Sequence, residues 1–184
     1  TQLLAMDAVR DLKEIRVFGI DADQVAEFVA RMQPRVRARL MSAVSADEAI
    51  DMADIVTTAT NSPEPVFDGR RLGEGCHLNA IGTFTLDRRE VDHVTVERSS
   101  VFVDLVDAAL EEAGELVAAA RKGMTDPRDW TEIGRVASGE AIGRGSADEI
   151  TFFKSVGHAV QDVVAAARAM RNAREMGLAR AIEL

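Results

Sequence analysis

Three short runs, DIVTTAT (54–60), CHLNAIG (76–82) and SVFVDL (100–105), read as near-continuous strands of apolar and β-branched residues without strict apolar–polar alternation. A strand with one wet face alternates apolar and polar residues, whereas a strand covered on both faces does not, and the second kind belongs to parallel sheets. Segments with helical spacing separate the runs. EIRVFG (14–19) reads as a further strand, and DADQVAEFVARM (21–32) restarts a helix with Val25, Phe28, Val29 and Met32 on one stripe. Asp21 and Gln24 form a capping pair for it, and Ser45 with Glu48 forms a capping box before the next helix. RVRARL (35–40) alternates as an edge strand would, and the first residues place Leu3, Leu4 and Ala8 on one helical face.

Strand–helix alternation with short connections predicts an α/β, doubly wound, mostly parallel sheet with helices on both faces and right-handed crossovers. The 184 residues suffice for one domain with a real core. Downstream, 106–123 and 130–139 read as helical, and Ser146 with Glu149 as another capping box. A final buried helix is expected over 156–176, with Val156, Ala159, Val160, Val163, Ala167 and Met170 on its stripe and Gly177 as its stop.

A net charge of −9 argues against nucleic-acid and anionic-membrane partners, and no apolar run approaches the roughly 20 residues of a membrane span. The single cysteine, Cys76, excludes a disulfide framework and fits a cytoplasmic location. His77, His93 and His158 are scattered, so no metal site is expected.

Ligands of open parallel sheets bind beyond the carboxyl ends of the strands. Here those exits read Gly19-Ile20-Asp21, NSPEP after Thr60, and TFTLDRREVD after Gly82. A dinucleotide site also requires a Gly-x-Gly-x-x-Gly turn from strand into helix. GEGCHL at Gly73 leads into a strand, and GRGSAD at Gly143 follows none, so neither serves. The expectation is that the first strand and its glycine-rich loop precede Thr1.

ADIVTTATNSPEPVF (53–67), GCHLNAIGTFTLDRREVD (75–92), VFVDLVDAALEEAGEL (101–116), GRGSADEITFFKSVGHAVQD (143–162) and AREMGLARAIEL (173–184) together resemble the ornithine cyclodeaminase/mu-crystallin family, in that order. The resemblance implies a Rossmann-type nicotinamide-binding domain over 1–184, incomplete at its start, with 150–184 a C-terminal helical segment packing toward an upstream dimerisation and substrate domain. It implies a homodimer, a small amino or imino acid substrate, and catalytic residues upstream of this chain. Thr58, Ala59, Thr60 and Asn61 would line the cofactor, Ala80, Ile81 and Gly82 would lie beneath the nicotinamide, and Ser155 would border it. Read from residue type alone, Thr58 and Thr60 are also ordinary strand residues. Asp21 stands near the place of a ribose-binding acid and is equally a helix cap. Ile20 stands where the resemblance implies an Arg in many relatives that use the phosphorylated cofactor, so the resemblance leans to NAD over NADP.

Ser155, Val156 and Gly157 match a segment bordering nicotinamide and substrate, where free N–H groups at a helix start would attract a carboxylate; plain capping by Ser155 is the alternative. Lys154 is expected to make a surface contact with Glu149, Glu111, Glu112 and Glu115 to form a solvated helix face, Arg144 to hold its loop through carbonyls, and Trp130 to pack a satellite cluster. Where cyclodeaminases carry an acid/base Asp, this chain has Phe84. Phenylalanine cannot move a proton, so an apolar substrate wall and reduction of an imino acid are expected. Cyclodeamination, a cofactor- and ligand-binding protein without turnover, and an interaction module are the competing readings.

Overall fold

The computed structural model describes residues 1–180; the last four residues of the 173–184 motif lie outside the described residues. A helix α1 (Gln2–Val9) leads to a unit of β1 (Glu14–Val17), α2 (Ala22–Met32) and β2 (Arg39–Ser42), followed by α3 (Ala46–Ile50). β1 and β2 pair in parallel, and Val25, Met32, Ala38 and Leu40 are the buried residues that join α2 to them. Asp21 caps α2 by accepting from the Gln24 backbone N–H at 3.0 Å, and Ser45 caps α3 by accepting from Glu48 N–H at 3.1 Å. Residues 35–38 do not pair as the edge strand that RVRARL suggested. Pro34 sits in a 3-10 turn, and the Gln33 amide takes the Ala38 carbonyl and the Leu40 N–H, so pairing starts only at Arg39.

The second sheet is built from β3 (Ile55–Thr58), β4 (His77–Ala80), β5 (Ser100–Val103), β6 (Thr131–Glu132) and β7 (Thr151–Lys154), in the spatial order β3-β4-β7-β5-β6 and parallel throughout. Between them lie α4 (His93–Glu97), α5 (Val106–Glu112), α6 (Gly114–Arg121) and α7 (Ile133–Ala137). Residues 151–154 are therefore not part of a C-terminal helical segment but the central strand. Two parallel neighbours satisfy the backbone of β7 on both sides, and no turn signal inside it announces that pairing. Nor does Glu149 start a helix: its carboxylate takes the Gly145 and Ser146 N–H groups, and the chain then runs through buried Ile150 directly into β7.

Alternation assigns the faces. Val56, Leu78, Phe152, Val101 and Val103 point into the main core with Val91, Val96, Ala109, Ala113, Leu116 and Ala119. Trp130 belongs to this same core instead of a satellite cluster, its indole N–H donating to Thr125 Oγ1 at 2.9 Å. The opposite face mixes half-buried Ile55, Thr57, His77 and Phe153 with buried Asn79, Phe102 and Thr151. The last helix, α8 (Ala159–Glu175), begins later than expected, because His158 is its N-cap, and none of its residues is buried. Gly177 follows it in left-handed conformation, with Leu178 N–H bonded to the Ala173 carbonyl and Gly177 N–H to that of Arg174, the Schellman closure expected of a glycine stop.

Candidate functional site

Parallel strands in register send their carboxyl ends to one edge. Thr58, Ala80, Lys154 and Val103 form a cross-strand row there on the core face, so the segments that follow leave the sheet side by side. Of the sequence-predicted residues, Thr58 to Asn61, Ala80 to Gly82, Phe84 and Ser155 to Gly157 are brought to this edge. Asp21 follows β1 in the other sheet, with both carboxylate oxygens engaged by Gln24, whose hydrogen bonds hold its carboxyl below the usual range.

Charged side chains sealed beneath the edge hold its backbone. Glu90, fully buried, accepts from Thr60 N–H and from Gly82 N–H, each at 2.6 Å, and so clamps the β3 and β4 exits together. The exits approach so closely that a Cβ at Gly82 would overlap the backbone of Thr60 and the Glu90 carboxylate. Asp104, at the end of β5, holds the β7 exit: its Oδ2 accepts from Ser155 Oγ at 2.7 Å and from the N–H groups of Val156 and Gly157 at 3.0 Å each. Its Oδ1 accepts from Gln161 Nε2 in the first turn of α8. The expectation of free N–H groups at 156 and 157 is thereby overturned. The turn does attract a carboxylate, but the protein's own supplies it, and the capping residue is His158.

Lys154 is likewise not at the surface. Only 1% exposed, it points into the core, where Nζ donates to the Thr83 carbonyl at 2.7 Å and lies 3.2 Å from Thr83 Oγ1. Its counterion is Glu115, also buried, with Nζ 2.9 Å from Oε1. Among the described residues Lys154 is the ion-pair partner of Glu115, in a close charge-assisted contact. Burial raises the Glu115 carboxyl while Lys154 opposes the shift. Glu115 thus leaves the solvated face that its neighbours Glu111 and Glu112 suggested, because α6 turns it toward the sheet. Glu149 instead receives the Ser100 hydroxyl, and Arg144 holds its loop through the carbonyls of Ala147, Glu149 and Cys76 as expected.

What stays open at the edge is mixed, small side chains beside one large aromatic ring. Ala59 and Asn61 are exposed, Phe84 is 63% exposed, and Thr58 Oγ1 is a buried hydroxyl without a partner among the described residues. The signals missed in the sequence were carboxylates just after or just beyond apolar strands: Asp104 directly after β5, and Glu90 eight residues past Gly82. Among the described residues no cluster of three or more metal-ligating side chains occurs, and no helix is long and apolar enough to cross a membrane.

A parallel sheet flanked by helices, with small-residue exits gathered at its carboxyl edge, defines a Rossmann-type nucleotide-binding fold. The family model of the ornithine cyclodeaminase/mu-crystallin family matches residues 1–177, and the chain belongs to that family. It is 36% identical over 181 residues to a Delta(1)-pyrroline-2-carboxylate reductase of Bacillus cereus, covering 97% of this chain and 55% of that protein. Among solved structures it resembles the Thermococcus litoralis Delta(1)-pyrroline-2-carboxylate reductase in complex with NADH and L-proline, with a TM-score of 0.93 and 32% identity over 98% of this chain and 56% of the other. An archaeal alanine dehydrogenase dimer with bound NAD gives a TM-score of 0.88 and 31% identity, covering 100% of this chain and 56% of that one. The chain thus spans about half the length of the relatives it matches.

Proposed function

We propose that this chain is the nicotinamide-binding part of an NAD(P)-dependent reductase of imino acids, with NAD the favoured cofactor. The observation that carries this reading is Phe84. An exposed apolar ring stands at the β4 exit where cyclodeamination would need an acid/base carboxylate, and Glu90, buried nearby, is committed to two backbone N–H groups. The reading is supported by the two reductases to which the chain is similar and by the NADH in one of them.

The open groups at the edge fit a dinucleotide. Ala59, Thr60 and Asn61 would meet the cofactor with small side chains, with Thr58 buried beneath them; Ile81 and Gly82 would form its floor, supported by fully buried Ala80; Ser155 would border it, and Asp21 would face a ribose. A bound reduced nicotinamide would supply the hydride to the imino carbon. This chain's own part is to place the two reactants: Phe84 walls the substrate, and the Val156–Gly157 turn, locked by Asp104, presents a fixed surface to it. Acid/base groups are assigned to the upstream part of the full protein. The open edges of β1 and β3 are where we place a further parallel strand with its glycine-rich loop, and the exposed stripe of α8 (Val160, Val163, Val164) is where the upstream domain packs. A cytoplasmic homodimer is the assembly that fits this reading, in keeping with the dimer of the alanine dehydrogenase it resembles.

The test is NADH and NADPH oxidation by the full-length protein, with Δ1-pyrroline-2-carboxylate and larger cyclic imino acids as acceptors. Oxidation with the cyclic imino acids, and faster with NADH, is expected. Ammonia release from ornithine without cofactor oxidation by any imino acid would overturn the reading.

A further inference from the structure

We infer that Lys154 is a positioning residue for the loop after β4, and through it for Phe84. The inference rests on reading Phe84 as the substrate wall. Its physical basis is the way residues 83–88 are held. On the sheet side, the Lys154 ammonium donates to the carbonyl of buried Thr83, the residue immediately before exposed Phe84. On the helix side, α6 meets the loop at Gly114, where a Cβ would collide with the carbonyl oxygens of Thr85, Leu86 and Arg88. At its far end Arg88 donates to the Asn61 carbonyl, which ties the loop to the β3 exit. Thr85 and Arg88 close a turn between these anchors through a 3.3 Å backbone bond.

A packing role alone does not account for a lysine here. Sealing an ammonium and a carboxylate in the core costs more than an apolar pair of similar volume would, and such a pair commonly serves stability as well or better. What the ammonium provides, and methionine or leucine cannot, is a fixed donor for a carbonyl at the strand exit. Glu115 neutralises that ammonium without displacing its bond to Thr83, since three N–H groups suffice for both the carboxylate and the carbonyl. Lys154 also directly precedes Ser155, so one residue ties the β7 exit, locked by Asp104, to the β4 exit that carries Phe84. The geometry therefore couples the two segments assigned above to the substrate.

The experiment compares the full-length wild type with two variants, E115L/K154M and K154R. The first removes both charges, so no orphaned ion confuses the result. The second keeps the charge opposite Glu115 but forces a longer, planar guanidinium into a sealed site, which displaces the donor from the Thr83 carbonyl. In both, amide hydrogen exchange over 83–88 is expected to quicken about tenfold or more, while β4 and β5 stay protected. KM for Δ1-pyrroline-2-carboxylate is expected to rise about tenfold, with KM for NADH held within about twofold, as loss of substrate positioning requires. A folded variant of either kind with wild-type exchange over 83–88 overturns the positioning role. Faster exchange with an unchanged imino-acid KM overturns its extension to the substrate. If the wild type itself reduces no imino acid, the functional reading fails, and the exchange data still decide whether Lys154 holds the loop.

Discussion

Gly82 shows how little freedom a single position has where two strand exits meet. Its missing side chain lets the β4 exit touch Thr60, and the Glu90 carboxylate then reaches both N–H groups at 2.6 Å. A methyl group there has nowhere to go, because its neighbours are backbone atoms and a buried, doubly bonded carboxylate. Gly82→Ala is expected to lower stability by roughly 3 kcal/mol or more, combining overpacking with the loss of buried hydrogen bonds. Urea unfolding of the full-length protein measures it, and a midpoint equal to wild type would contradict this packing account. The glycine itself is plain in the sequence as the end of an apolar strand. Its reason is not, because Glu90 becomes its neighbour only after 83–89 has looped back. The same holds for Asp104, which reads locally as a polar strand end and acts as the ligand of a turn some fifty residues further on.

At the level of elements, what can be read from the sequence follows locality. The caps at Asp21 and Ser45, the stop at Gly177 and the strands of the 54–60, 76–82 and 100–105 runs depend on neighbours within a few residues, and they form where the residue pattern puts them. Strand β7, by contrast, reads locally as the approach to a helix. ITFF is too short to distinguish a central strand from a helical lead-in, and only its partners β4 and β5 decide. Helix α8 starts late for a related reason: Asp104 captures 155–157 in a turn before any helical hydrogen bond can form. The α3–β3 connection carries a local feature that pattern reading does not expose. Met52, 87% exposed, takes a φ of 53°, the left-handed region that disfavours a β-carbon. Met52→Gly is expected to stabilise the protein by about 0.5–1 kcal/mol, since relief of this strain outweighs the entropy glycine adds to the unfolded chain. Thermal unfolding checks it, and a lower melting temperature would show that Met52 packs more than its exposure suggests.

For the whole molecule, folding seals Cys76 at the start of β4, 1% exposed, and burial pushes its thiol from an ordinary 9.0 up to about 11. The folded chain therefore keeps this proton between those values while the unfolded chain loses it. The resulting stability is fully present below pH 9 and disappears as pH rises toward 11, by roughly 2–3 kcal/mol. Wild type is expected to lose that much more than Cys76→Ala across the interval, measured by urea unfolding at several pH values; parallel curves would refute it. Periodicity and contacts a few residues long are enough to specify the layered α/β class, the run of helices and strands along most of the chain, their principal caps, and the residues of the strand exits. Long-range packing alone makes β7 central, turns Lys154 and Glu115 toward one another inside the core, and sets Glu90 and Asp104 to tie down the exits. Each of these depends on partners brought together from distant positions, and a charged side chain carries no local mark of whether its counterion waits in solvent or in the core.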